Sequence, residues 1–254
     1  MLAKYGTRGG QAFGRYALAL WLRSPRGRRM LAAEEAEMKR VLPDLFGRTI
    51  LQVGNWGRGT RLIDSAEMLH HAVIGTLGTL GAQGVAVPEA LPVLDKSVDA
   101  VLLPHTLEFA ESPQKVLREA DRVLTDRGRL IVLGFNPWSL WGLRERLGWR
   151  YPAFPPGARY QSLRRICDWL ELLGYEVSLV RRYGVGFPWT RPRSLGEPSG
   201  LRALIGPLME AYVVVAKKRV IPLDIRRLPA RAQVRPLIGA VGLPAARSQT
   251  RTSE

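Results

Sequence analysis

The sequence predicts an α/β fold built on a doubly wound, mostly parallel sheet, and two observations carry that expectation. Short, nearly all-apolar runs of strand length recur along the chain, as at Val98–Leu103 and Leu130–Gly134, the pattern of strands covered on both faces. Amphipathic helical stretches alternate with them, so that Val98–Leu103, a helix opening at Ser112-Pro113, and Leu130–Gly134 make one βαβ unit. Ligands on such sheets sit beyond the carboxyl ends of the strands, which directs attention to Pro104, His105, Glu108, Phe135 and Asn136.

The remaining elements follow in order. Phe13, Tyr16, Ala17, Leu20 and Trp21 recur at helical spacing in a first helix over Ala12–Leu22, which Ser24-Pro25 breaks. A more charged second helix covers Gly27–Leu42 and is closed by Pro43 and Gly47. Thr49–Val53 reads as the first strand, followed by the glycine-rich turn Gly54-Asn55-Trp56-Gly57-Arg58-Gly59. Arg61–His71 is the next expected helix, Ala72–Leu77 the second strand and Gly84–Val87 a short third strand before a loop over Pro88–Pro92. Ser112-Pro113 has the order of an N-cap and N1, Leu117, Ala120, Val123 and Leu124 give that helix one apolar face, and Asp126-Arg127-Gly128 makes a turn. Ser162–Leu173 is amphipathic and ends at Gly174; Tyr175–Val180 and Tyr212–Arg219 are strands, with a short helix over Leu201–Met209 between them.

Composition sets the bounds. A chain of 254 residues with 46% apolar and 24% charged side chains can bury one substantial core. Its apolar runs are too short to span a bilayer, and no signal-peptide pattern opens it, so a cytoplasmic protein is expected. The single cysteine, Cys167, excludes an internal disulfide, and His70 and His71 lack acidic neighbours at ligand spacing, so no metal site is expected. The net charge of +16 is concentrated outside the expected core: residues 1–40 carry nine Lys/Arg against three Glu. Basic termini of this kind favour weak contact with polyanions or a membrane surface, although solvated arginines need no partner. The expected domains are a helical extension over 1–30, a main domain over 31–220, and a basic, disordered tail over 221–254.

Two ordered motifs carry a family resemblance. Leu91-Pro92-Val93-Leu94-Asp95-Lys96-Ser97-Val98-Asp99-Ala100-Val101 is similar to L-P-F-x-D-x-S-F-D-x-V, and Leu117-Arg118-Glu119-Ala120-Asp121-Arg122-Val123-Leu124, with Gly128 after it, is similar to L-x-E-x-x-R-V-L-x-x-x-G. Both belong to class I S-adenosylmethionine-dependent methyltransferases with a type 11-like domain, which this chain resembles over roughly residues 31–220. Trp138-Ser139-Leu140-Trp141-Gly142-Leu143 suggests an uncharacterised proteobacterial branch of that family. The resemblance implies a Rossmann-like sheet of seven strands, mostly parallel with an antiparallel last strand, and S-adenosylmethionine as cofactor.

The resemblance also assigns roles. Gly54, Gly57 and Gly59, with Gln52 before them, would approach the methionine end, because glycines permit positive φ and close backbone contact. Glu89, Ala90 and Leu91 would lie near the adenine. Where the family places acids on its first three strands, this chain has Gln52, Leu77 and Val87. His105 is the candidate catalytic base and pocket-lining group. Asn136, Trp138 and Trp141 join it as a substrate pocket, in which the tryptophans, with Trp149 and Tyr151, act as a lid over an apolar acceptor or as a sheet-edge cover. Two functions follow: methyl transfer to a small or lipid-like acceptor, or a degenerate fold that serves as a non-catalytic binding or regulatory module.

Overall fold

The computed structural model describes residues 16–55, 62–75, 81–140, 142–143, 158–184, 193–194 and 208–219. The chain divides into two compact units, Met1–Val220 and Ile221–Glu254, and the described residues all belong to the first. Of the expected features, Gly57, Gly59, Leu77, Trp141, Trp149, Tyr151, most of the Leu201–Met209 helix and the 221–254 tail lie outside the described residues.

The strands are β1 (Thr49–Val53), β2 (His70–Gly75), β3 (Gly84–Val85), β4 (Val98–Pro104), β5 (Leu124–Phe135), β6 (Tyr175–Gly184), β7 (Arg193–Ser194) and β8 (Ala211–Lys218). They form one sheet in the order β3-β2-β1-β4-β5-β8-β6-β7. β3, β2, β1, β4 and β5 pair in parallel, and β8 inserts antiparallel between β5 and β6. This is the expected seven-stranded sheet with an antiparallel last strand, plus the two-residue edge strand β7.

Helices cover both faces. On one lie α1 (residues 16–23) and α2 (Pro25–Val41), which share a core with Ile50, Leu102, Ile131, Leu133 and Val213. α3 (Pro113–Val123) and α4 (Leu163–Leu172) lie on the other, against Leu51, Val53, Val101, Leu103 and Val214. Alternation along each strand divides neighbours such as Ile50 and Leu51 between the two cores. Ser24 does not merely break a helix: its hydroxyl accepts from the Gly27 N–H at 3.0 Å and caps α2, with Pro25 in the first turn. The expected domain boundary between residues 30 and 31 falls inside α2, where Met30 and Leu31 are both core.

Two local expectations are corrected. In place of a helix over Arg61–His71, residues 62–65 form a turn in which the Ala66 N–H donates to Ile63 O at 3.0 Å, and β2 already begins at His70. Leu62, Ile63, Ala66 and Met68 reach the core from this open turn, so their apolar spacing reflects burial rather than helix. Asp126-Arg127-Gly128 does not form the expected turn before a strand either. β5 runs through it and bulges, since its partners on β4 step from Val98–Leu124 to Ala100–Arg129.

Candidate functional site

The carboxyl ends of β1, β4 and β5 meet at one edge of the sheet, where the chain buries an unusual number of polar side chains. Gln52, Asn55, His105, Thr106, Glu108 and Asn136 are all buried there, and Glu34 and Glu37 join them from α2. Buried polar groups are costly unless hydrogen-bonded, so each contact can be traced.

At the end of β1 the Gln52 side chain, 1% exposed, donates from Nε2 to Gly54 O at 2.9 Å. Its Oε1 is buried with no hydrogen-bond partner. Gly54 follows with φ +103, a left-handed conformation, and a Cβ there would lie 2.6 Å from Thr106 Oγ1. Thr106 in turn donates to Val53 O at 2.5 Å, tying the β4 end to the glycine turn. Thr106 thus covers Gly54, whose N–H is taken by Ile74 O at 2.7 Å, so the orphaned Gln52 Oε1 is what this turn offers a donor-bearing ligand.

At the end of β4, His105 adopts φ +52 and is wholly buried. Its Nε2 lies 2.7 Å from Glu34 Oε1 and its Nδ1 3.0 Å from Glu108 Oε2. Glu108 Oε1 accepts from the Phe135 N–H at 2.5 Å, which joins the ends of β4 and β5. The imidazole stacks on the Phe135 ring with centroids 4.0 Å apart, and Trp21 and Tyr160 meet that ring edge-on. Burial opposes a charge on His105, but the facing carboxylates of Glu108 and Glu34 outweigh it and hold its pKa up to about 10. His105 is therefore an imidazolium at neutral pH.

Further out, Glu37 is matched by Arg40 at 2.9 Å and Arg181 at 3.5 Å, and Glu210 by Arg26 at 3.2 Å. Burial and the nearby Glu34, Glu108 and Glu37 raise the pKa of Tyr183 well above that of an ordinary phenol.

The other candidate residues occupy distinct positions. Asn136 accepts the Trp138 N–H on Oδ1 at 3.1 Å and donates from Nδ2 to Met209 O at 2.9 Å, so it builds the turn after β5. Trp138 is 62% exposed at the same edge. Glu89 Oε1 accepts the Glu111 N–H at 2.8 Å and the Ser112 N–H at 3.4 Å, which supplies the α3 cap that the Ser112 side chain does not make. Ala90 is exposed, while the Leu91 N–H donates to Glu119 Oε1 at 2.7 Å. Arg122 closes this loop by donating to Leu91 O at 3.0 Å and Val93 O at 2.9 Å, which explains the E-x-x-R spacing of the second motif. His70 and His71 begin β2, at the opposite end of the parallel sheet. No group of side chains among the described residues is arranged to hold a metal ion.

Glu34, Thr106 and Tyr183 are not among the residues to which the sequence points. A signal for the first was present: Glu34 and Glu37 fall among Met30, Leu31, Ala33, Met38 and Val41 on the apolar face of α2, where a lone acid would be costly.

A methyltransferase domain model matches residues 63–132, the stretch that contains β4, α3 and most of β5. The chain belongs to the class I S-adenosylmethionine-dependent methyltransferases. Among its relatives is the uncharacterised protein YafS of Escherichia coli K12, 34% identical over 223 residues that cover 87% of this chain and 90% of YafS. An uncharacterised Mycobacterium tuberculosis H37Rv protein is 36% identical over 186 residues, 67% of this chain and 62% of its own length. In fold, the chain is similar to a Thermotoga maritima S-adenosylmethionine-dependent methyltransferase, described as a possible histamine N-methyltransferase. The TM-score is 0.56 at 22% identity, over 74% of this chain and 89% of that one. A second such methyltransferase, from Archaeoglobus fulgidus, gives 0.53 at 19% identity, over 75% and 94%.

S-adenosylmethionine is the cofactor of this family, and the residues at the end of β1 fit it. Gly54 makes the left-handed turn there, and the unpartnered Gln52 Oε1 can accept from an ammonium or hydroxyl donor.

Proposed function

We propose that this chain transfers a methyl group from S-adenosylmethionine to a small or lipid-like acceptor at the carboxyl ends of β1, β4 and β5. The observation that carries the reading is the buried, unpartnered Gln52 Oε1 beside the left-handed Gly54. An acceptor atom orphaned inside a protein costs about 1–3 kcal/mol, and a bound donor removes that cost. Bound there, the cofactor supplies an electrophilic methyl group. The chain's own contribution is alignment and exclusion of water: α2 closes over His105, and Trp21, Phe135 and Tyr160 give the neighbourhood an apolar character that suits a lipid-like acceptor. The basic termini add long-range attraction for anionic surfaces.

Gln52→Leu tests the reading. Equilibrium dialysis with labelled S-adenosylmethionine is expected to show roughly ten-fold weaker binding to a variant that still folds. Equal binding by wild type and variant would remove Gln52 from the cofactor site.

A second reading, a non-catalytic binding module on the same fold, draws on the adenine end. Glu89 Oε1 is engaged with the start of α3, and Val87, 61% exposed, stands where the family has an acid. Failure of wild type to bind the cofactor at all would favour it.

A further inference from the structure

We infer that the acceptor is an apolar carboxylic acid, methylated as its carboxylate without a protein base. The inference rests on the methyltransferase reading and narrows its acceptor.

The first support is the state of the bases at the site. An alcohol acceptor has to lose a proton as it reacts, and an alkylammonium has to lose one first, so either needs a basic group with a free lone pair. His105 has none to give: each ring nitrogen faces a carboxylate oxygen, and an ionised carboxylate only accepts hydrogen bonds. Among the described residues, the buried carboxylates at the ends of β4 and β5 are committed as well. Glu108 holds His105 and the Phe135 N–H, Glu34 holds His105, and Glu210 pairs with Arg26. On α2, Glu37 pairs with Arg40 and Arg181, and the Tyr183 phenol stays protonated. The only other histidines, His70 and His71, begin β2 at the far end of the sheet. A carboxylate needs no base because it arrives with its electron pair free.

The second support is what borders the Glu34–His105–Glu108 cluster. The Arg159 N–H donates to Glu108 O at 2.8 Å, and the Arg159 side chain is exposed. Next to it Tyr160 meets the Phe135 ring edge-on at 6.1 Å, and Trp21 does so at 5.7 Å. Half-buried aromatic surface adjoined in sequence by an exposed arginine is complementary to an apolar body ending in a carboxylate. The chain's net charge of +16 draws anions towards it.

The step balances without proton transfer. An oxygen of the acceptor carboxylate donates an electron pair to form the new O–CH3 bond. The methyl's former bond to sulfur breaks, and its electron pair stays on sulfur. An anion and a sulfonium cation become a neutral ester and a neutral thioether.

The test uses the full chain, methyl-labelled S-adenosylmethionine, and three chain-matched probes: palmitate, hexadecanol and hexadecylamine. Expected is base-labile label in methyl palmitate and none above blank from the alcohol or the amine. Arg159→Gln is expected to raise the KM for palmitate about ten-fold while cofactor affinity by calorimetry stays within about two-fold. Nitrogen NMR of His105 is expected to show both ring nitrogens protonated at pH 8, with and without cofactor. Transfer to the alcohol or the amine, no transfer to the acid, or a neutral His105 ring each overturns the inference. Wild-type chain that gives no heat with the cofactor defeats the methyltransferase reading itself, and the inference with it.

Discussion

Glu34 and His105, 71 positions apart, meet at 2.7 Å in a wholly buried contact that fastens α2 to the end of β4. The contact makes the N-terminal helix part of the site. It also fixes the charge of His105, because the same ring faces Glu108 on its other nitrogen.

That charge makes stability depend on pH. The folded pKa of His105, about 10, lies above its ordinary value of 6.5, so the native state binds the extra proton. The contribution is therefore full below pH 6.5 and is lost as pH rises through about 10. Urea melts across this window are expected to show stability falling by up to about 1.4 kcal/mol per pH unit from this group. Glu34→Gln is expected to flatten the slope; an unchanged slope would show that Glu34 does not hold the proton there.

Gly54→Ala is expected to destabilise the fold by about 1–3 kcal/mol, since a Cβ is strained at a left-handed φ. The new methyl would also lie 2.6 Å from Thr106 Oγ1. Thermal melts measure the first effect, and weaker cofactor binding by dialysis measures the displacement of Thr106.

Glu89→Ala removes the carboxylate that takes the Glu111 and Ser112 N–H groups at the start of α3. The expected loss is about 1 kcal/mol, typical of a helix cap, with faster amide exchange confined to the first turn of α3. A variant as stable as wild type would mean that solvent replaces the cap at no cost.

Arg122→Ala frees the carbonyls of Leu91 and Val93 and leaves Glu119 with the Leu91 N–H but no cation. Arg122 is partly exposed, so the expected cost is modest, about 1–2 kcal/mol. Hydrogen exchange should quicken through residues 91–95 while the sheet interior stays protected.

Much of the fold was legible in the sequence because buried parallel strands are written as unbroken apolar runs. β4 was read one residue short, and β1 was read with the bounds it has in the structure. Sequence failed where burial and conformation separate. Leu62, Ile63, Ala66 and Met68 are spaced like a helix but reach the core from an open turn, and Asp126-Arg127-Gly128 reads as a turn but bulges within β5. The site was half legible. His105, Glu108 and Asn136 lie at strand ends that the topology rule singles out, and the family resemblance adds Gln52 and Gly54. The Glu34 partner was not visible, because a contact spanning 71 positions leaves no spacing to read. For Glu89 the resemblance implies a place near the adenine, and its contact with the Glu111 and Ser112 N–H groups just before α3 was likewise not visible in the sequence.

S-adenosylmethionine binding at the end of β1, where Gln52 stands in place of the family's acid, is the expectation on which the proposed function depends. Calorimetric titration of the full chain with S-adenosylmethionine, paired with S-adenosylhomocysteine, tests it most directly. Saturable heat with one site per chain is the expected result for both ligands. The absence of heat from either at millimolar concentration would contradict the account.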